Sequence, residues 1–276
     1  MSEVQPTQAE NPQMQTTQGS NGHKTPPFVA TLDDISDVSV GGKAYGLSRL
    51  VRMGLEVPPA FVICDAQPGN TPEGLREAWA ALGEHPVAVR SSARGEDGAE
   101  DSFAGQYDTV LNVEGFDALL TAVNQCVSSL DNERALEYRG RDKDADATMN
   151  VVVQRMVNAR AAGVVFTADP VSARRDVLVI DAVSGLGESL VSGEATPDHF
   201  ALDRNGQLIH ESLAGDTPIL SPAELAMIAS EARQAETHEG QPLDLEWAID
   251  ASGQLFWLQA RPITTLPADL NEFDTI

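Results

Sequence analysis

Residues 243–262 read LDLEWAIDASGQLFWLQARP, two strand-forming runs on either side of Ser252-Gly253. With Ser252-Gly253 as a two-residue turn, Ala251 pairs with Gln254, and counting outward sets Glu246 against Gln259 and Asp244 against Arg261. Side chains alternate along a strand, so this register places Leu245, Trp247 and Ile249 opposite Ala260, Leu258 and Phe256 on a wholly apolar face. The other face gathers Asp244, Glu246, Gln259 and Arg261. A one-residue slip would mix the two sets. Carboxylate and amide oxygens suit a hard cation such as Mg²⁺, and the planar guanidinium grips phosphate oxygens. A solvated edge hairpin stitched by a weak acid–Arg pair would carry the same residues, so the hairpin alone does not decide its chemistry.

Working back from this hairpin, strand and helix patterns alternate from Thr31 onward, which predicts a mixed α/β architecture. A helix should open at Gly41-Gly42, because Ala44, Leu47, Leu50 and Val51 follow at helical spacing. Residues 60–64 and 86–90 read as buried strands around a helix near 72–82, and two helices are expected within 115–140. Strand-like runs cover 150–157, 163–167 and 177–183, followed by a hairpin about Asn205-Gly206. Ser221-Pro222-Ala223-Glu224 has the form of a capping box with proline at the first helical position, opening a helix that ends near Gly240.

The 276 residues are 42% apolar, enough for a sizeable core. Against 42 acidic side chains stand 18 basic ones, a formal charge of -24 that argues against nucleic acid or an anionic membrane as partner. Such a chain can bind a polyanion only by placing its few cations with care and recruiting a metal ion. Cys64 and Cys126 form no CxxC pair and read as small buried hydrophobes. No apolar run reaches the roughly 18 residues of a membrane span, and the expected location is cytoplasmic. Residues 1–26 are rich in Gln, Thr, Pro, Ser and Asn, and are expected to form a disordered tail.

Gly41-Gly42-Lys43 at a helix mouth offers backbone N–H groups and a cation to phosphate, although G-x-x-x-x-G-K-[ST] is missing and the turn is not a Walker loop. Arg90-Ser91-Ser92 follows a buried strand and puts an arginine where the chain leaves the core. The small residues of Ser102-Phe103-Ala104-Gly105-Gln106 permit a loop that closes over a ligand.

In this order, GGKAYGLSRL, VPPAFVI, VAVRSSARGED, SFAGQYDTVLNV, VVVQRMV, GVVFTADP, GLGESLVSG, TPDHF and DLEWAID followed by LQARPIT resemble the ATP-binding domain of the phosphoenolpyruvate synthase, pyruvate phosphate dikinase and rifampin phosphotransferase family. The resemblance implies an ATP-grasp fold spanning 27–276, with a small lobe over about 27–113, a larger lobe over 114–276, and the nucleotide between them. It implies that Lys43 and Arg90 bind phosphate and that Gln154, Met156 and Val157 lie on the hinge strand facing adenine. By the same resemblance Glu246 and Gln259 are Mg²⁺ ligands, Arg261 holds the transferring phosphates, Gly105 and Gln106 belong to the lid, and Glu188 joins the nucleotide site. Lys43, Arg90 and Arg261 are the expected catalytic residues. Two departures stand out. The stretch between AFVIC and PVAVR is shorter than the family's usual helical insertion. The family's carrier histidine, found in a Gly-Gly-x-x-x-His setting, has no counterpart at His23, His85, His199, His210 or His238. The resemblance therefore implies transfer to a phosphohistidine on a separate swivelling protein. An ATP sensor without catalysis, or a kinase acting on a small molecule or protein directly, are the alternatives.

Overall fold

The computed structural model describes residues 27–93, 109–137, 149–187 and 195–264, with Leu190, Gly193 and Leu266. The expected tail, Gly105, Gln106 and Glu188 lie outside the described residues.

The first sheet has the order β1-β2-β5-β3-β4, with β1 Phe28–Thr31, β2 Ala60–Ala66, β3 Val87–Ala93, β4 Thr109–Val113 and β5 Met149–Arg155, all neighbours antiparallel. Its central strands are near-continuous apolar runs because both faces are covered. One face, with Phe61, Ile63, Val87, Val89, Val151 and Val153, packs under α2 (Leu75–Ala81) and α3 (Phe116–Glu137). The span 115–140 was expected to hold two helices, but α3 runs unbroken because residues 116–137 contain neither Gly nor Pro. The other face, with Val62, Cys64 and Val152, packs against α1 (Gly42–Arg52). Burial, with Asp65 adding to it, pushes the Cys64 thiol up to about 11, and Cys126 is buried as well, so both behave as apolar filler.

The second sheet has the order β11-β10-β6-β7-β8-β9, with β6 Ala159–Phe166, β7 Leu178–Ser184, β8 Asp198–Leu202, β9 Leu208–Ser212, β10 Leu243–Asp250 and β11 Leu255–Pro262, again antiparallel throughout. One face is covered by α4 (Pro222–Glu239), which buries Leu225, Ile228, Ala229, Ala232 and Ala235 against Leu178, Ile180, Phe200, Leu245 and Trp247. Its capping box forms as expected: Ser221 Oγ accepts from Glu224 N, and Glu224 Oε2 accepts from Ser221 N. The break between sheets falls between β5 and β6, so α3 and β5 belong with the first sheet, although a lobe boundary near 113 was expected.

The β10–β11 hairpin keeps the expected register at its open end, Asp244 facing Arg261 and Glu246 facing Gln259. Nearer the turn it departs by one residue, with Trp247 facing Trp257 and Ile249 facing Leu255. The loop is three residues long: Asp250 N donates to Gln254 O, and Gly253 takes the left-handed φ of 87° that a side chain resists. The extra residue is absorbed as a β-bulge at Leu258. The buried face of β11 is therefore Leu255 and Trp257, and Phe256 and Leu258, expected in the core, are only partly buried.

Candidate nucleotide site

The uncovered face of the second sheet looks toward the first across a cavity of about 440 Å³, within the roughly 300–1,000 Å³ of small-molecule sites. Its walls are apolar. Ala88 and Leu111 come from the first sheet, and Ala162, Val164, Ala248 and Leu258 from the second. At the back runs the link from β5 to β6, where Gln154, Met156 and Val157 line the space. Arg155 N donates to Pro59 O and Met156 N to Pro86 O, fixing this segment against the ends of both neighbouring strands. Gln154 is 3% exposed, and its Nε2 has no hydrogen-bond partner among the described residues. A buried amide donor without an acceptor is costly, and a ring nitrogen or carbonyl of a bound molecule would satisfy it.

The other end of the cavity is charged. Arg90, on β3, crosses from the first sheet to the second. Its Nη2 donates to Glu246 Oε2 at 3.1 Å and to Gln259 Oε1 at 2.6 Å, and its Nη1 donates to Leu258 O at 2.9 Å. The bulge explains the last bond: Leu258 is the extra residue in β11, so its carbonyl is turned out of the ladder toward the guanidinium. Glu246 and Gln259 hold oxygens side by side on the same strand face, one charged and one neutral. That donor set fits Mg²⁺, which takes one or two protein oxygens and completes its shell with phosphate and water. Among the described residues there is no group of three or more His, Cys, Asp or Glu that could hold a metal ion.

The remaining expected residues stand nearby but not on the cavity wall. Arg261 Nε and Nη2 both approach Asp244 Oδ2 at 2.8 Å, two cross-strand rows beyond Glu246 and Gln259 and on the same strand face. Lys43 lies in the first turn of α1. That turn is braced by Ser92, two residues along β3 from Arg90: its Oγ accepts from Ala44 N at 3.2 Å and donates to Val40 O at 3.0 Å. Gly41, at φ 87°, packs so tightly here that a Cβ would fall 2.5 Å or less from the carbonyl of Ser92. Gly41→Ala is expected to lower stability by about 1–3 kcal/mol from the backbone alone, with the clash adding to it. A urea midpoint equal to wild type would show that α1 does not start as described.

Sequence reasoning missed the apolar walls, the Ser92 brace and the Leu258 carbonyl. Only the last left a trace, since Phe256-Trp257-Leu258 breaks the strict alternation of a half-buried strand. Arg90, Gln154, Met156, Val157 and Glu246 meet on one cavity, with Gln259 tied in through Arg90.

The apolar slot thus lies between the two antiparallel sheets of a mixed α/β domain, with the β5–β6 link at one end and an arginine, a carboxylate and an amide at the other. The chain belongs to the family of pyruvate phosphate dikinase AMP/ATP-binding domains, whose profile matches residues 67–219 and 210–273. Over 82% of its length it is 38% identical to the prodigiosin synthesizing transferase PigC of Serratia marcescens. Over 87% it is 34% identical to a probable phosphoenolpyruvate synthase of Methanocaldococcus jannaschii, and over 88% it is 41% identical to a rifampicin phosphotransferase of Streptomyces sviceus. The chain spans only 32%, 27% and 30% of these relatives. In fold it resembles PH1788 from Pyrococcus horikoshii Ot3, with a TM-score of 0.51 at 14% identity over 80% of this chain and 89% of that one. No helix among the described residues is long and apolar enough to cross a membrane.

Proposed function

We propose that this chain binds Mg-ATP and donates a phosphoryl group from it to a histidine on a partner protein. The observation that carries this reading is the polarity of the cavity, a purine-sized apolar slot that ends at Arg90, Glu246 and Gln259. Ala88 and Leu111 on one side and Ala162, Ala248 and Leu258 on the other would hold the base, and Gln154 would offer it a hydrogen-bond donor. Glu246 and Gln259 would hold the metal, which would supply charge neutralisation at the phosphates when bound. Arg90, Lys43 and Arg261 provide cations around the triphosphate, the last two from just beyond the cavity wall. Phosphoryl transfer asks little covalent chemistry of a protein, and positioned charge is what these residues contribute.

One observation supports an acceptor outside the described domain: the relatives extend well beyond the region they share with this chain. Purified protein with Mg²⁺ and labelled ATP is expected to bind the nucleotide in calorimetry while releasing phosphate or AMP slowly or not at all. Adding a protein that carries the phosphohistidine domain of a relative should produce an acid-labile phosphoprotein. Steady turnover at ordinary kinase rates without any partner would replace this reading by direct transfer to water or a small acceptor.

A further inference from the structure

Arg90 donates to the oxygens that a metal ion would need. One nitrogen, Nη2, is shared between Glu246 Oε2 and Gln259 Oε1, while Nη1 is held by the bulged Leu258 carbonyl. The side chain of Arg90 is 12% exposed and that of Glu246 28%, so this pairing sits in a partly desolvated place where charge matters more than at an open surface. A divalent cation approaching alone meets a fixed guanidinium at contact distance and a carboxylate already neutralised. It would have to displace two charge-assisted hydrogen bonds and strand Arg90 without an anion. A nucleotide changes this balance, because phosphate oxygens give the guanidinium a more highly charged acceptor and free Glu246 and Gln259 together.

Resting on the functional reading above, we propose that Arg90 is a latch on the metal site, which admits a divalent cation only together with a nucleoside polyphosphate. The same three bonds tie the first sheet to the second, since Arg90 belongs to β3 and its acceptors to β10 and β11. Nucleotide binding therefore opens the metal site and releases this strap between the sheets in one step. The coupling is reciprocal: the cation tightens nucleotide binding by the factor by which nucleotide tightens cation binding.

Mn²⁺ serves as the probe, because the paramagnetic signal of the free ion reports binding without turnover. Wild-type protein is expected to leave the Mn²⁺ signal unchanged on its own, and with ATP present to retain Mn²⁺ on its side of a dialysis membrane beyond the Mn–ATP complex of a protein-free control. Arg90→Met should bind Mn²⁺ without nucleotide at least about tenfold more tightly than wild type. Glu246→Gln added to Arg90→Met should abolish that gain, which places the ion at the hairpin. Arg90→Lys keeps the charge but lacks the fork to hold three acceptors at once, so it should fall between the two and carries the test if the methionine variant does not fold. Equal Mn²⁺ affinity in wild type and Arg90→Met overturns the latch, while ATP binding by the wild type keeps the functional reading in place. So does a gain that survives Glu246→Gln, since the ion is then bound elsewhere. Failure of wild type to bind Mn²⁺ even with ATP is a different result: it removes the functional reading, and the latch with it.

Discussion

Trp247→Ala lowers the stability of the domain by about 3–5 kcal/mol, the range for deleting a large aromatic from a packed core. The residue is fully buried on β10, faces Trp257 across the hairpin, and sits in one cluster with Leu245, Ile249, Ile228 and Ala232. Its Nε1 has no hydrogen-bond partner among the described residues, so alanine loses packing and leaves a cavity without breaking a polar contact. For a chain of this length that corresponds to a fall in melting temperature of very roughly 10 °C. Chemical denaturation gives the energy, and calorimetry the temperature. Leu258→Ala is the informative contrast. The sequence register put Leu258 in the core beside Trp247, whereas the bulge turns it to the cavity wall. It should therefore weaken ATP binding more than it weakens folding. A loss for Leu258→Ala as large as that for Trp247→Ala, with ATP binding unchanged, would restore the unbulged register, in which both side chains face the core.

That bulge marks the boundary of what was legible in the chain. Polar and apolar residues alternate cleanly from Asp244 to Trp247 and from Gln259 to Pro262, so only one register separates them, and the pairing of Glu246 with Gln259 follows from the residues themselves. Toward the turn, Phe256, Trp257 and Leu258 are all apolar, and the choice between them depends on a loop conformation that composition does not report. Capping residues at Ser221 and Glu224 were equally plain, because their chemistry is local. The contacts of Arg90 were not, since its acceptors lie 156 to 169 positions away and are reached only once two sheets face each other. The apolar walls are illegible for the same reason. Ala88, Ala162 and Ala248 are ordinary strand residues until the opposite sheet leaves a gap above them. Helix α3 shows the converse: two helices were expected within 115–140, and the absence of any Gly or Pro from 116 to 137 was the sign that one would suffice.

The remaining prediction separates the chemical role of Arg261 from its structural one. Under the proposed function Arg261 holds the transferring phosphates, and its place two cross-strand rows from Glu246 and Gln259, on the same strand face, supports that. It is also paired with Asp244, a carboxylate only 8% exposed, so simple truncation confounds the two roles. Arg261→Ala should slow phosphoryl transfer by about 10²- to 10³-fold, the effect of losing one donor to the transition state. It should also cost on the order of 1 kcal/mol of stability, a figure kept small because the guanidinium side of the pair is 40% exposed and screened by solvent. Arg261→Lys resolves the ambiguity. An ammonium retains the charge that balances Asp244, so stability should return close to wild type. It cannot present two parallel N–H donors to a phosphate while remaining on Asp244, so most of the rate loss should persist. Single-turnover transfer from labelled ATP to the phosphohistidine acceptor, measured beside urea denaturation of each variant, gives both quantities. A lysine variant that recovers rate and stability together would reduce Arg261 to the counter-ion of Asp244. One that recovers stability alone leaves its fork in contact with the phosphates as the part that lysine cannot replace.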